Sequence, residues 1–292
     1  MNTNILNSYR EFENARKYWE CKLAENINEL KIPTDYPKTN DCTRAHLTMD
    51  FERDLSEKLL AFSKNQGLLL YIIMMAGLKV LLYKYTGQED IIVASPVYNE
   101  EEIAKLNKYI VLRDSLKEEM TFKDLLMNVK QTVSEGFKNQ HYPVGKLIEQ
   151  IEDNNGSVLM LKVALRMEGI HKKESDEDAL SSALNYFNLS ITREENKISV
   201  RTTYNSCLFK EDSIKALCTR FENVLKQAIG DLNKKLKEFS IITEEEKKKI
   251  LFDFNNTKAD FPQDKTIHQL FEDLNLFVIL NYLDHLCHLI FH

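Results

Sequence analysis

Glycine and proline are scarce in this chain, 8 and 5 residues among 292. Their scarcity excludes collagen-like repeats and low-complexity linkers, and a hydrophobic content of 43% excludes long disordered tracts. Cysteine is also sparse. Cys21, Cys42, Cys207, Cys218 and Cys287 are odd in number, widely spaced and without a C-x-x-C pair, which is the usage of a reduced, cytoplasmic protein. There is no basic excess: 39 Lys+Arg stand against 45 Asp+Glu, a net charge of -6, which argues against a nucleic-acid partner. The N-terminus, MNTNILNSYREFENARKYW, lacks the basic-then-apolar layout of a secretory signal. The one long apolar run, residues 68–83, is broken only by Gly77 and Lys79. It falls short of the roughly 20 residues that cross a bilayer, so a buried core helix and no membrane partner are expected.

What is present is a mixture of two periodicities. Phe12, Ala15, Trp19, Leu23 and Ile27 repeat at helical spacing and predict a helix over residues 9–29 with those side chains on its apolar face. Pro33 and Pro37 then enforce an extended link. Ala45, Leu47, Met49 and Phe51 alternate with polar residues, which predicts a half-buried strand. A helix over 56–66 stopped by Gly67 comes next, then the apolar helix stopped by Gly87, both glycines standing where a left-handed cap is wanted. Residues 91–97, IIVASPV, predict an interior strand and 109–113 another. Thr121 with Asp124 predicts a capped helix to Asn139. Strands are expected at 158–167, 186–192 and 197–204, the last two joined as a hairpin through REEN, with 171–182 as an exposed polar loop. An amphipathic helix over 214–229 follows, and Thr243 with Glu246 predicts a short capped helix. The fold class is α/β, a mixed sheet covered by helices.

Chemistry is harder to find. His285, Cys287, His288 and His292 crowd the last eight residues, and His288 and His292 stand at i, i+4. No second cysteine pair supports them, so the expectation is no metal site. There is no G-x-S-x-G, no Walker pattern and no G-x-G-x-x-G. Runs such as Glu100–Glu102 and Glu244–Glu246 read as solvated faces.

Several segments, in order, resemble the condensation domain of nonribosomal peptide synthetases. Tyr18-Trp19 with Ile32-Pro33-Thr34-Asp35-Tyr36-Pro37 is similar to the family's Y-W…L-P-T-D-x-P. Residues 81–91, LLYKYTGQEDI, are similar to L-L-Y-R-Y-[ST]-G-Q-E-D-I, and Ser95-Pro96-Val97 to its G-S-P strand end. Asn139-Gln140-His141-Tyr142-Pro143 resembles [HN]-Q-D-x-P-F, with His141 in place of Asp. Residues 254–262, FNNTKADFP, and 267–272, IHQLFE, resemble the linker into an adenylation domain. The resemblance divides the chain into a C-terminal lobe over 1–231, a linker over 232–272 and an unmatched tail over 273–292.

The resemblance implies a chloramphenicol-acetyltransferase-like single lobe, in a family that joins two carrier-bound acyl groups by an amide bond. It implies carrier protein domains as partners, 4'-phosphopantetheine on those partners, and no cofactor held directly. The family's His-His-x-x-x-Asp-Gly belongs to a first lobe expected to precede this chain. No His-His and no Asp-Gly occurs here, so no catalytic residue is carried over. Three readings stand: a partial domain that needs a complementary lobe in trans, a non-catalytic module that binds carriers or that lobe, and an enzyme acting through unrecognised residues. The first two imply an exposed apolar face and self-association. Ser95 is the one candidate for lining the substrate tunnel, with a buried hydroxyl satisfied by backbone as its alternative. His141 reads as a polar cap at a helix end rather than as a base.

Overall fold

The computed structural model describes residues 2–23, 29–37, 43–98, 107, 109–148, 161–171 and 186–248, with positions 251, 266, 268, 269 and 272 beyond them. The metal-like tail at 285–292 and the loop residues 172–182 lie outside the described residues, as does most of 252–272. Residues Met1–Thr243 form one compact unit; Glu244–His292 is a second, in which a short helix, Glu244–Lys248, forms where Thr243 and Glu246 predict it.

Helix α1 (Asn2–Leu23) leads into the proline link and strand β1 (Arg44–Asp50). Helices α2 (Arg53–Phe62) and α3 (Gly67–Thr86) precede strands β2 (Asp90–Pro96) and β3 (Tyr109–Ser115). Helix α4 (Phe122–Lys138), strands β4 (Val163–Met167), β5 (Phe187–Arg193) and β6 (Ile198–Asn205), and helix α5 (Glu211–Gly230) complete the unit. The six strands make one sheet in the order β1-β6-β5-β4-β2-β3. β4 runs parallel to both β2 and β5, while β1–β6, β5–β6 and β2–β3 are antiparallel. Helix α5 lies over β1 and β6, α3 over β2 and β4, and α4 against β3, with α3 touching both neighbours. On the far side of the sheet His46, Thr48, Asp50 and Arg201 are exposed, the polar half of the period-two alternation.

Several elements form where the pattern places them. The α3 segment from Leu70 to Tyr83 is buried without a break, the fate of a helix apolar on all sides. At 20 residues it is long enough to cross a membrane, yet 78% of its most apolar stretch is buried inside the protein. Thr121 caps α4 reciprocally: its Oγ1 accepts from the Asp124 amide at 3.1 Å and its own amide donates to Asp124 Oδ2 at 3.1 Å. Gly87 sits at φ 66° and its amide donates to Tyr83 O at 2.8 Å, a left-handed cap.

Other expectations need correction. Gly67 starts α3 rather than stopping α2; Lys64 and Asn65, at φ 50° and 56°, take the left-handed turn instead. Helix α1 begins at Asn2, earlier than residue 9, and is described to Leu23; residues 24–28, Ile27 among them, lie outside the described residues, and Glu29 is not helical. Phe12 is 40% exposed because α1 buries the Ala15–Trp19–Leu23 face. His171, expected in an exposed loop, is buried. The start of the stretch read as linker needs no such change: Leu236 and Phe239 are its buried anchors, and the Phe122 amide donates to Lys234 O at 3.0 Å.

Candidate functional site

The segments that carry the resemblance can be followed side chain by side chain, and most of them hold the scaffold together. Asp35 of the I-P-T-D run accepts from the Lys210 amide and from Ser213 Oγ, both at 2.8 Å. Lys210 is the residue before α5 and makes no side-chain cap of its own, so Asp35 caps that helix from 175 residues away. A cavity of about 320 Å³ opens between this link and α5, lined by Ile32, Tyr85, Phe209, Asp212 and Arg220 among others. In the T-G-Q-E-D-I run, Gln88 accepts from the Lys31 amide at 2.6 Å and donates to Glu29 O at 3.0 Å. Asp90 takes a two-pronged grip from Arg113 at 2.9 and 2.8 Å, and Arg113 also donates to Lys22 O at 3.0 Å.

The remaining two segments meet at one end of the sheet. β2 ends in Ser95-Pro96 and continues to Tyr98, whose amide donates to Gln140 Oε1 at 2.6 Å. Asn107 then clamps the turn after α4, donating to Gln140 O and Tyr142 O while its own Oδ1 accepts from the Val144 amide at 3.1 Å. Trp19 of α1 donates to Asn139 O at 2.8 Å from the other side. His141 points away from the strand end, with Nε2 3.3 Å from Glu11 O of α1. It is therefore placed to tie the turn to α1 and takes no part in the Ser95 cluster.

Ser95 is fully buried at the centre of a polar cluster. Its Oγ donates to Pro96 O at 2.9 Å and accepts from Tyr71 OH of α3 at 2.7 Å. Burial pushes the Tyr71 phenol well above its ordinary pKa, so it remains a donor. His171 Nε2 stands 3.3 Å from Ser95 Oγ. The tautomer follows from the far side of the ring. Nδ1 lies 3.3 Å from Met167 O, which already accepts from the amides of Ile170 and His171, and 3.0 Å from the Met167 amide; that N–H can only donate, and a proton on Nδ1 would collide with it. Nδ1 is thus an acceptor and the proton resides on Nε2, facing Ser95. Burial lowers the imidazole pKa to about 3, so the ring is neutral.

This wiring decides what the cluster can do. A serine nucleophile needs a neighbouring nitrogen that accepts its proton. Here the imidazole gives its proton toward Ser95, and Ser95 gives its own to a backbone carbonyl. The trio is a satisfied structural network, and it fixes the strand end rather than activating it. Around it Phe137 lies 6.3 Å from Tyr71, 6.0 Å from His171 and 5.4 Å from Tyr98 between ring centroids, an aromatic wall. Tyr98 carries the wall to the surface at 42% exposure. No group of three metal-ligating side chains occurs among the described residues. The role of His171 had no signal in the sequence beyond a lone histidine after an apolar strand.

The comparisons with known proteins agree with this layout. The profile of the Condensation domain family matches residues 4–251. Gramicidin S synthase 2 of Brevibacillus brevis is 31% identical over 284 residues, and tyrocidine synthase 2 of Brevibacillus parabrevis 28% over 284. Each alignment takes in 90% of this chain but only 6% and 8% of the relative's length. Among solved structures, a four-domain nonribosomal peptide synthetase bound to AMP and glycine superposes with TM-score 0.67 at 16% identity, over 80% of this chain and 20% of that one. The first condensation domain of the calcium-dependent antibiotic synthetase, in complex with a substrate analogue, superposes with TM-score 0.62 at 16% identity, over 81% of this chain and 56% of that one. The fold is the chloramphenicol-acetyltransferase-like one of these structures. With its family profile matched over most of its length and its strand-end motifs folded together, the chain belongs to the condensation domains of nonribosomal peptide synthetases.

Proposed function

We propose that this chain is the second lobe of a condensation domain and that it forms amide bonds only together with a first lobe, supplied by another polypeptide or by a further part of the same one. One observation carries the reading: four-fifths of the chain corresponds to little more than half of a solved condensation domain, 81% against 56%. The lack of any His-His pair points the same way. In the reaction, the acceptor amine on one carrier's phosphopantetheine arm attacks the thioester carbonyl on the other. The C–N bond forms, the C–S bond breaks, the amine gives up one proton and the donor arm returns as a thiol. A histidine of the first lobe positions or accepts that proton. This chain supplies a wall of the path along which the arms meet, and Ser95 marks the strand end that borders it. Cytoplasmic carrier domains are the partners, the phosphopantetheine belongs to them, and the uncovered lobe self-associates when alone.

A second reading, a module that docks carriers or the missing lobe without catalysis, is favoured by the wiring of the Ser95 cluster, which leaves no proton acceptor there. Mixing the protein with a separately made first lobe and two aminoacyl-loaded carriers distinguishes the two. Dipeptidyl thioester in the complete mixture, read by mass spectrometry, supports the first. Carrier retention with no product in the complete mixture supports the second.

A further inference from the structure

Helix α3 is apolar on every side, so it carries no stripe to say how far along its neighbours it sits. A slide by one turn, about 5.4 Å, would exchange one apolar ring of side chains for another. Two polar contacts remove that degeneracy. Near the start of the helix, Tyr71 OH donates to Ser95 Oγ at 2.7 Å. Two turns further on, Lys79 Nζ donates to Leu112 O at 2.6 Å and Ile91 O at 3.3 Å, and pairs with Asp114 Oδ2 at 2.9 Å. The other oxygen of Asp114 accepts from Thr132 Oγ1 of α4 at 2.6 Å. All five side chains are buried.

The spacing is what gives these contacts their meaning. Tyr71 to Lys79 is eight helical residues, a rise of about 12 Å. Ser95 to Ile91 is four strand residues in the opposite direction, about 13 Å. The two spans coincide in the observed register, and a helix shifted by a turn loses both contacts and strands a buried charge. We propose that Tyr71 and Lys79 are positioning residues that set the register of α3 on β2 and β3. Through Asp114 and Thr132 they also fix α4, and so hold the Ser95 strand end and the turn at 139–143 in place. Only the importance of that strand end for substrate rests on the function proposed above.

The test replaces polarity without leaving a lone buried charge. K79M/D114L/T132V removes the Lys79 pin, Y71F removes the other, and the quadruple variant removes both. Apolar replacement of a buried ion pair is commonly neutral or stabilising, so the triple variant is expected to melt at or above the parent's temperature. In the quadruple variant, amide resonances of α3, β2 and residues 136–144 should double or broaden while those of β5 and β6 stay sharp. The Tyr98 amide, bonded to Gln140, should exchange with solvent at least tenfold faster. A single sharp set with unchanged Tyr98 protection overturns the proposal. Should the quadruple variant not fold, Y71F decides. Faster exchange confined to the Ser95–Tyr98 end supports the proposal, and uniform or absent loss of protection overturns it. These readouts need no product, so they stand apart from the outcome of the complementation assay.

Discussion

Replacing His171 by glutamine tests the reading of the strand-end cluster. Glutamine can still give an N–H to Ser95, but it cannot titrate. The native imidazole has a pKa of about 3 against 6.5 for an unperturbed histidine. On acidification the unfolded chain therefore takes up the proton first, and the native state loses stability as pH falls through that window. The contribution is fully present above pH 6.5 and is lost progressively toward pH 3. Each pH unit inside the window is worth about 1.4 kcal/mol, so moving from pH 7.5 to pH 5.0 should remove about 2 kcal/mol. Asp50, Asp124 and Glu119, whose pKa values are lowered by their hydrogen-bond partners, contribute acid lability at lower pH to both proteins alike. Urea unfolding at the two pH values reads the difference. H171Q should lose about 2 kcal/mol less than the parent over that interval. Equal losses would show that His171 is not buried as a neutral ring, and the wiring argued for Ser95 would fall with it.

Three further substitutions probe the scaffold. D35A removes the distant cap of α5 and should cost about 1–2 kcal/mol in a thermal or urea melt, with D35N recovering part of it. An added Cβ at Gly77 would lie 2.5 Å from Leu225 Cδ2 of α5, so G77A should destabilise by about 1–3 kcal/mol. A G77A/L225V double variant should cost less than the sum of the single ones, a coupling that a double-mutant cycle measures. R113K loses the two-pronged grip on Asp90 and should lower stability by about 1–3 kcal/mol by urea titration, although it preserves the charge.

Local signals were legible where they were self-contained. The Thr121–Asp124 box, the Gly87 cap and the unbroken burial of α3 each depend on residues a few positions apart, so the pattern alone places them. The hairpin of β5 and β6 turns where REEN predicts, closed by the Glu194 amide on Lys197 O at 2.9 Å. Gly67 misled because Lys64 and Asn65 took the positive φ that a glycine usually supplies. Phe12 misled because helical spacing defines a stripe but not its width. The family motifs located the chain in its fold, yet spacing could not say what their residues do. Asp35 meets α5 and Arg113 meets α1 only after the chain has folded, across 175 and 91 positions. His171 is the extreme case: Met167, four positions away, sets its tautomer, but its burial depends on Tyr71 and Ser95, which reach it only in the folded chain.

The most direct measurement follows two aminoacyl thioesters, each tethered to its own carrier, in the presence of the purified protein alone. Mass spectrometry over time should give a rate of amide formation equal to that without protein, since the function proposed above assigns the handling of the proton to a histidine of the first lobe. Turnover at enzymatic speed from this chain unaided would contradict the account at its centre.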